Sequence, residues 1–154
     1  KKFASLKGNE TIYDLYCGTG TISIFLSKFA KEIIGIETVK DAVLAAKDNA
    51  KLNKISNTKF IHGDVKHILS DGIKDSNDPD IIILDPPRNG LEKQVISSVI
   101  SLKPKKIIYV SCNSSTQARD LIDFKEFYKI KLSQPIDMFP QTYHVENVVL
   151  LEKI

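Results

Sequence analysis

Short β-branched runs alternate with helix-like stretches along almost the whole chain, and this alternation limits the fold more than any other feature. Thr11–Leu15 predicts a first strand, followed by the turn Tyr16-Cys17-Gly18-Thr19-Gly20. A helix is expected over Thr21–Phe29, apolar at Ile22, Leu26 and Phe29. Ile33–Glu37 reads as a strand buried on both faces, and Lys40–Asn53 as an amphipathic helix with Val43, Ala46, Ala50 and Leu52 near one face. Lys59–His62 is a third strand and Val65–Ser70 a short helix, while 71–79 has the Asp, Gly, Ser and Asn content of a loop. Asp80–Leu84 is a fourth strand, and the helix Leu91–Leu102 stops before Lys103-Pro104 because a pre-proline residue disfavours helix. Ile107–Ser111 is a fifth strand, Thr116–Phe124 a helix, and Tyr128–Leu132 and Val145–Glu152 the last two strands.

Such alternation implies a mostly parallel sheet with helices on both faces. The last two strands have no helix between them and are expected to form an antiparallel pair. The expected fold is α/β and Rossmann-like, with seven strands, one of them antiparallel at the C-terminus. Ligands of these sheets sit at the carboxyl ends of the strands.

The 154 residues suit one domain over 1–154, and a 42% hydrophobic, 27% charged composition is that of a globular chain. No apolar run is long enough to span a bilayer and no signal-peptide pattern opens the chain, so a cytoplasmic location is expected. The start Lys1-Lys2-Phe3-Ala4 lacks methionine and reads as a piece of a longer protein. A net charge of +3 is compatible with an RNA partner and equally with a solvated lysine-rich surface. The two cysteines, Cys17 and Cys112, suggest neither a disulfide in a reducing compartment nor, without a Cys/His cluster, a metal site.

Several residues at the expected strand ends carry chemistry. Gly18 and Gly20 let a ligand approach the backbone between a strand and a helix, or simply make a tight turn. The third glycine of a dinucleotide fingerprint is missing, which suits an adenosyl cofactor without a pyrophosphate. Glu37 ends the second strand, where an acid accepts hydrogen bonds from both ribose hydroxyls, or merely caps the strand. Asp64 is placed either to contact an adenine amino group or to cap the helix that follows. Asp85-Pro86-Pro87-Arg88 stiffens the exit from the fourth strand and directs Asp85 and Arg88, the arginine suiting a charge-assisted contact.

Cys112 ends the fifth strand, as a nucleophile or as a small packed residue. With the fourth strand between those ending at Cys17 and Cys112, two spacings of about 4.8 Å hold the cysteines roughly 10 Å apart, beyond disulfide reach. Glu146 opens the last strand, either at the cofactor rim or as an ordinary exposed residue, and His144 alternates with it. His62 and His67 show no metal-ligand spacing.

Taken together, Asp14-Leu15-Tyr16-Cys17-Gly18-Thr19-Gly20-Thr21, Asp85-Pro86-Pro87-Arg88, Val110-Ser111-Cys112-Asn113, Thr116 with Ala118-Arg119-Asp120, and His144-Val145-Glu146 make the chain resemble the RNA uracil-5-methyltransferases. These enzymes modify 23S ribosomal RNA and tRNA. The resemblance implies an S-adenosylmethionine-dependent methyltransferase fold and a covalent mechanism, with Cys112 as nucleophile and Glu146 as general base. Asp85 would hold the uracil edge and the cofactor side of the site. Tyr16, Glu37 and Asp85 match cofactor-contact positions of the family, with Gly18, Gly20, Thr21 and Asp64 in the same site. The implied partner is RNA, 23S ribosomal RNA ahead of tRNA, and no membrane.

Three departures stand out. Ser114 follows the Cys-Asn pair where proline is common, which is expected to loosen that loop, and Gln141 stands where histidine is common. A cofactor-contacting glutamine, RNA-binding segments and, in some members, an iron-sulfur domain lie upstream in the family. Two other readings compete. Methylation of cytosine carbon 5 usually places the nucleophile after the proline motif, yet Pro86-Pro87-Arg88 has no cysteine. A non-catalytic adenosyl-binding or RNA-docking module has no need of Cys112 and Glu146 together.

Overall fold

The computed structural model describes residues 3–74, 76–138, 140–143 and 145–154, so His144 lies outside the described residues. The strands are β1 (Thr11–Leu15), β2 (Glu32–Glu37), β3 (Thr58–His62), β4 (Ile81–Leu84), β5 (Lys106–Ser111), β6 (Tyr128–Ile136) and β7 (Glu146–Lys153). They form one sheet in the order β3-β2-β1-β4-β5-β7-β6. The first five are parallel, and β7 runs antiparallel to both β5 and β6. From β1 the chain winds outward to β2 and β3 on one side, and then to β4 and β5 on the other. The crevice of such a sheet opens at that reversal, above the carboxyl ends of β1 and β4.

The period-two alternation of the strands sorts their side chains between two helix layers. Tyr13, Leu15, Ile34, Ile36, Ile82, Leu84, Ile107 and Tyr109 face α3 (Val65–Asp71), α4 (Lys93–Leu102) and α5 (Ser114–Phe124). Ile12, Ile33, Ile81, Ile83, Ile108 and Leu150 face the other way, toward Leu26 of α1 (Thr21–Leu26). On that side Val43, Ala46 and Ala50 of α2 (Lys40–Leu52) pack on Phe60. Burying each large aliphatic side chain contributes about 1.5–3 kcal/mol, which explains why β1, β2 and β4 read as near-continuous apolar runs.

Four local expectations are corrected. The first helix stops at Leu26 and continues as one 3-10 turn, Ser27–Phe29. Leu52 does not join the buried stripe of α2 and is 80% exposed. Two residues past Ala50 it is rotated about 200° from that stripe. The helix α5 starts at Ser114 rather than Thr116, because the Asn113 side chain accepts the Ser115 and Thr116 N–H groups. Strand β6 extends to Ile136 through Pro135, which is tolerated because β6 is the edge of the sheet. Among the described residues no helix is long and apolar enough to cross a membrane.

Candidate active site

The turn after β1 is built from strained and close-packed backbone. Tyr16 adopts a left-handed φ of 65°, a conformation costly for a non-glycine residue and typical of functional turns. Gly20, at φ 79°, caps α1, and a Cβ there would stand 2.8 Å from the Phe60 ring. The Glu37 carboxylate secures this turn from β2. One oxygen accepts the Gly18 N–H at 3.0 Å and the other the Val39 N–H at 2.8 Å. Sequence reasoning gave Glu37 only a ligand or a strand-end role, whereas the structure also makes it the brace of the glycine turn. Each of its oxygens keeps a further lone pair for an outside donor.

Cys17 is the packed cysteine of the two. Its sulfur would stand 2.8 Å from a Cβ on Gly35, so the glycine in β2 makes room for it beside Phe60. Burial, reinforced by the charges of Asp14 and Glu37, pushes the Cys17 thiol up to about 12. A thiol held protonated at neutral pH is a poor nucleophile.

Asp14, which carries no assigned role in the sequence reading, is fully buried at the end of β1. Its Oδ2 accepts the Ser23 hydroxyl at 2.6 Å, while Oδ1 has no hydrogen-bond partner among the described residues. Burial, against the Ser23 hydrogen bond and with the charge of Asp85, pushes its carboxyl from 3.8 up to about 7. The folded protein therefore holds this proton to higher pH than the unfolded chain. Its contribution to stability is full below about pH 4 and is lost as pH rises to about 7, on the order of 4 kcal/mol in all. Asp14→Asn is expected to flatten this dependence, narrowing the difference in Tm between pH 5 and pH 8. An unchanged pH slope in thermal melts would show that Asp14 does not titrate there.

Asp85 follows β4 at the sheet rim and is open to solvent. The surrounding protein and then the Glu146 carboxylate nevertheless push its carboxyl up to about 6. Asp14, Asp85 and Glu146 thus place carboxylates that feel one another across the ends of β1, β4 and β7. The ladder between β5 and β7 explains why Glu146 belongs there. Its last pair is Ser111 with Asn147, so Cys112 and Glu146 each lie one residue beyond that rung, at the same end of the ladder.

Cys112 lines a polar cavity of ≈ 390 Å³ with Arg88, Asn113, Ser114, Ser115, Tyr143 and Val145. Like Cys17 it is half-buried, but its surroundings are this polar cavity rather than Gly35 and Phe60. The loop is tied down on both sides of Ser114. Besides capping α5, Asn113 donates from Nδ2 to the Arg88 carbonyl at 3.2 Å, and its N–H donates to Ser111 Oγ at 3.1 Å. Thr116 Oγ1 donates to the same Arg88 carbonyl at 3.1 Å.

Deeper in α5, buried Asp120 accepts Tyr109 Oη at 2.6 Å and the Leu91 N–H at 2.7 Å, and pairs with Arg119 at 2.7 Å. These bonds tie the segment carrying Asp85 and Arg88 to the helix that starts behind Cys112. The Asn113 cap was readable from its residue type; the role of Asp120 depends on contacts across about thirty residues.

The remaining candidates lie further out. Asp64 caps α3, its Oδ1 accepting the Lys66 N–H at 2.8 Å, and its charge still acts on Tyr16. Thr21 is exposed and lines an apolar cavity of ≈ 460 Å³ with Phe3, Phe25, Ile108, Ile136 and Val148 on the α1 face. That cavity is lined by no titratable side chain, in contrast to the one at Cys112. Among the described residues no group of three or more His, Cys, Asp and Glu could hold a metal ion.

Comparison with known proteins identifies the family and the fold. Residues 4–154 match the model of the tRNA (uracil-5-)-methyltransferase family. The chain is 52% identical over 153 residues to an uncharacterized RNA methyltransferase of Bacteroides thetaiotaomicron, covering 99% of this chain and 34% of that protein. It is 50% identical over 154 residues to one from Caldanaerobacter subterraneus, again covering 99% and 34%. The chain therefore spans about a third of the length of the curated relatives it matches.

Among solved structures it superposes on Pyrococcus abyssi tRNA (uracil-54, C5)-methyltransferase, in complex with S-adenosyl-L-homocysteine. The TM-score is 0.82 at 34% identity, covering 97% of this chain and 36% of that one. A dimethyladenosine transferase of Plasmodium falciparum, 19% identical with a TM-score of 0.75 over 99% of this chain and 59% of its own, shares the fold. On this match the chain belongs to the tRNA (uracil-5-)-methyltransferase family.

Proposed function

We propose that this chain is the catalytic domain of a cytoplasmic enzyme that methylates carbon 5 of a uridine in RNA, using S-adenosylmethionine and a covalent bond from Cys112. The observation that supports the reading is the β5–β7 register, which brings Cys112 and Glu146 to the same end of the ladder, with the charge of Glu146 reaching Asp85.

The residues present fit the cofactor. The glycine turn leaves backbone open to close approach, the Glu37 carboxylate retains lone pairs for a ribose, and the buried Asp14 Oδ1 is an acceptor with no partner among the described residues. Tyr16, Gly18, Gly20, Glu37 and Asp85 would hold it, with Thr21 and Asp64 at the margin. The acidic rim favours a cation, and bound S-adenosylmethionine supplies an electrophilic methyl group on a sulfonium centre.

Carbon 5 of uracil is a weak nucleophile. The Cys112 thiolate adds to carbon 6, moving the electron pair of the 5,6 double bond into an enolate that makes carbon 5 nucleophilic. Carbon 5 would take the methyl group as its bond to the sulfonium breaks and leaves the cofactor a neutral thioether, and Glu146 would then remove the carbon 5 proton. The electron pair reforms the double bond and expels Cys112 as a thiolate. Asp85 holds the uracil edge during these steps. The base has to be splayed from its stack to reach the cavity.

The resemblance favours 23S ribosomal RNA, with tRNA second. The deciding experiment is nucleoside mass spectrometry of RNA from cells lacking the full-length protein, followed by mapping of the lost 5-methyluridine. Loss from 23S ribosomal RNA is the expected result. Loss from tRNA moves the substrate but keeps the chemistry, and undiminished 5-methyluridine in both RNAs overturns the proposal.

A further inference from the structure

A pair of side-chain amides lies behind the reacting groups. Gln117, only 1% exposed, sits on α5 five residues after Cys112. Its Nε2 donates to the Tyr109 carbonyl of β5 at 2.9 Å and to the Asn147 carbonyl of β7 at 3.3 Å. Its Oε1 accepts Asn147 Nδ2 at 2.7 Å, and Asn147 Oδ1 accepts Ser133 Oγ of β6 at 3.2 Å. One buried amide thus joins the helix behind Cys112 to two strands, and its partner follows Glu146 directly.

The position of that clamp matters because Glu146 is the first residue of β7. Strand ends open most easily, and the residues before this one are exposed, Tyr143 by 89% and Val145 by 43%. The antiparallel ladder fixes Asn147 opposite Ser111, but a ladder end is held by few bonds. Gln117 adds two bonds to Asn147 at the last rung, through Nε2 and Oε1, and a third to Tyr109 further along β5. A buried amide with its polar groups satisfied also specifies one arrangement, since any shift leaves a donor or acceptor unpaired.

We propose that Gln117 and Asn147 form a positioning pair that fixes the Glu146 carboxylate relative to Cys112. The inference rests on the reading of Cys112 as nucleophile and Glu146 as base. Neither amide touches the substrate. What the pair controls is the step that needs Glu146, removal of the carbon 5 proton with release of Cys112. A displacement of about 1 Å in a catalytic group costs on the order of a hundredfold.

The test uses the full-length protein, S-adenosylmethionine and RNA from cells lacking the protein, and reads covalent protein–RNA adduct on denaturing gels beside kcat, KM and cofactor affinity. Gln117→Leu is expected to lower kcat by about tenfold to a hundredfold and to accumulate adduct, with KM and cofactor affinity unchanged. Asn147→Ala gives the same partition and carries the test if Gln117→Leu does not fold.

Val99→Ala, a core truncation on α4, controls for lost stability and accumulates no adduct. A lower turnover without adduct in both amide variants, or a wild-type turnover in either, overturns the inference. Glu146→Gln separates the two readings. If it traps no adduct, the assigned role of Glu146 fails. If it does and the amide variants do not, only the positioning role fails.

Discussion

Cys112→Ala is expected to abolish methyl transfer to RNA while leaving cofactor binding intact. Deleting a covalent nucleophile typically costs roughly 10⁴-fold or more in turnover. The geometry gives no substitute. The other thiol, Cys17, is packed beside Gly35 and Phe60 and is pushed up to about 12 by burial, so it stays protonated. Cofactor binding should survive because Cys112 lines the cavity with Arg88, Asn113 and Tyr143, away from the glycine turn braced by Glu37. Transfer of labelled methyl groups to RNA measures the first quantity and titration calorimetry with S-adenosylhomocysteine the second. Methylation at the wild-type rate would remove the covalent mechanism altogether.

Glu146→Gln should separate the two halves of the reaction. Addition of Cys112 and methyl transfer do not consume the Glu146 base, whereas removal of the carbon 5 proton does. Loss of a general base costs about 10²–10⁴-fold. The enzyme is therefore expected to stall as a methylated RNA–protein adduct that survives denaturation and carries label from the cofactor. The same substitution removes the nearest charge acting on Asp85, so the Asp85 carboxyl should titrate lower than about 6. A variant that releases methylated RNA freely would assign the base elsewhere.

Much of this architecture was readable from local pattern. Short continuous apolar runs at Ile33–Glu37 and Ile107–Ser111, and the Lys103-Pro104 stop, place strands and a helix end without tertiary information. The missing helix between Tyr128 and Glu152 correctly required an antiparallel pair. Boundaries failed where a single contact decided them. The Asn113 cap moved the start of α5, and an edge position allowed β6 to run through Pro135. Leu52 shows the limit of composition, because an apolar residue in an amphipathic helix belongs to the core only if its rotation agrees.

Cys112 and Cys17 mark the division between the two levels. The residue sequence by itself determined that each cysteine follows closely on a parallel strand of an α/β sheet, since strand ends follow from periodicity and turn residues. Only the tertiary structure decided which thiol is packed and which faces a cavity, because burial depends on neighbours such as Gly35 and Phe60 from other strands. The same holds for the buried Asp14 carboxyl and the Gln117–Asn147 amides. Their partners lie far along the chain, and the energy of a buried polar group is set by the partner it meets there.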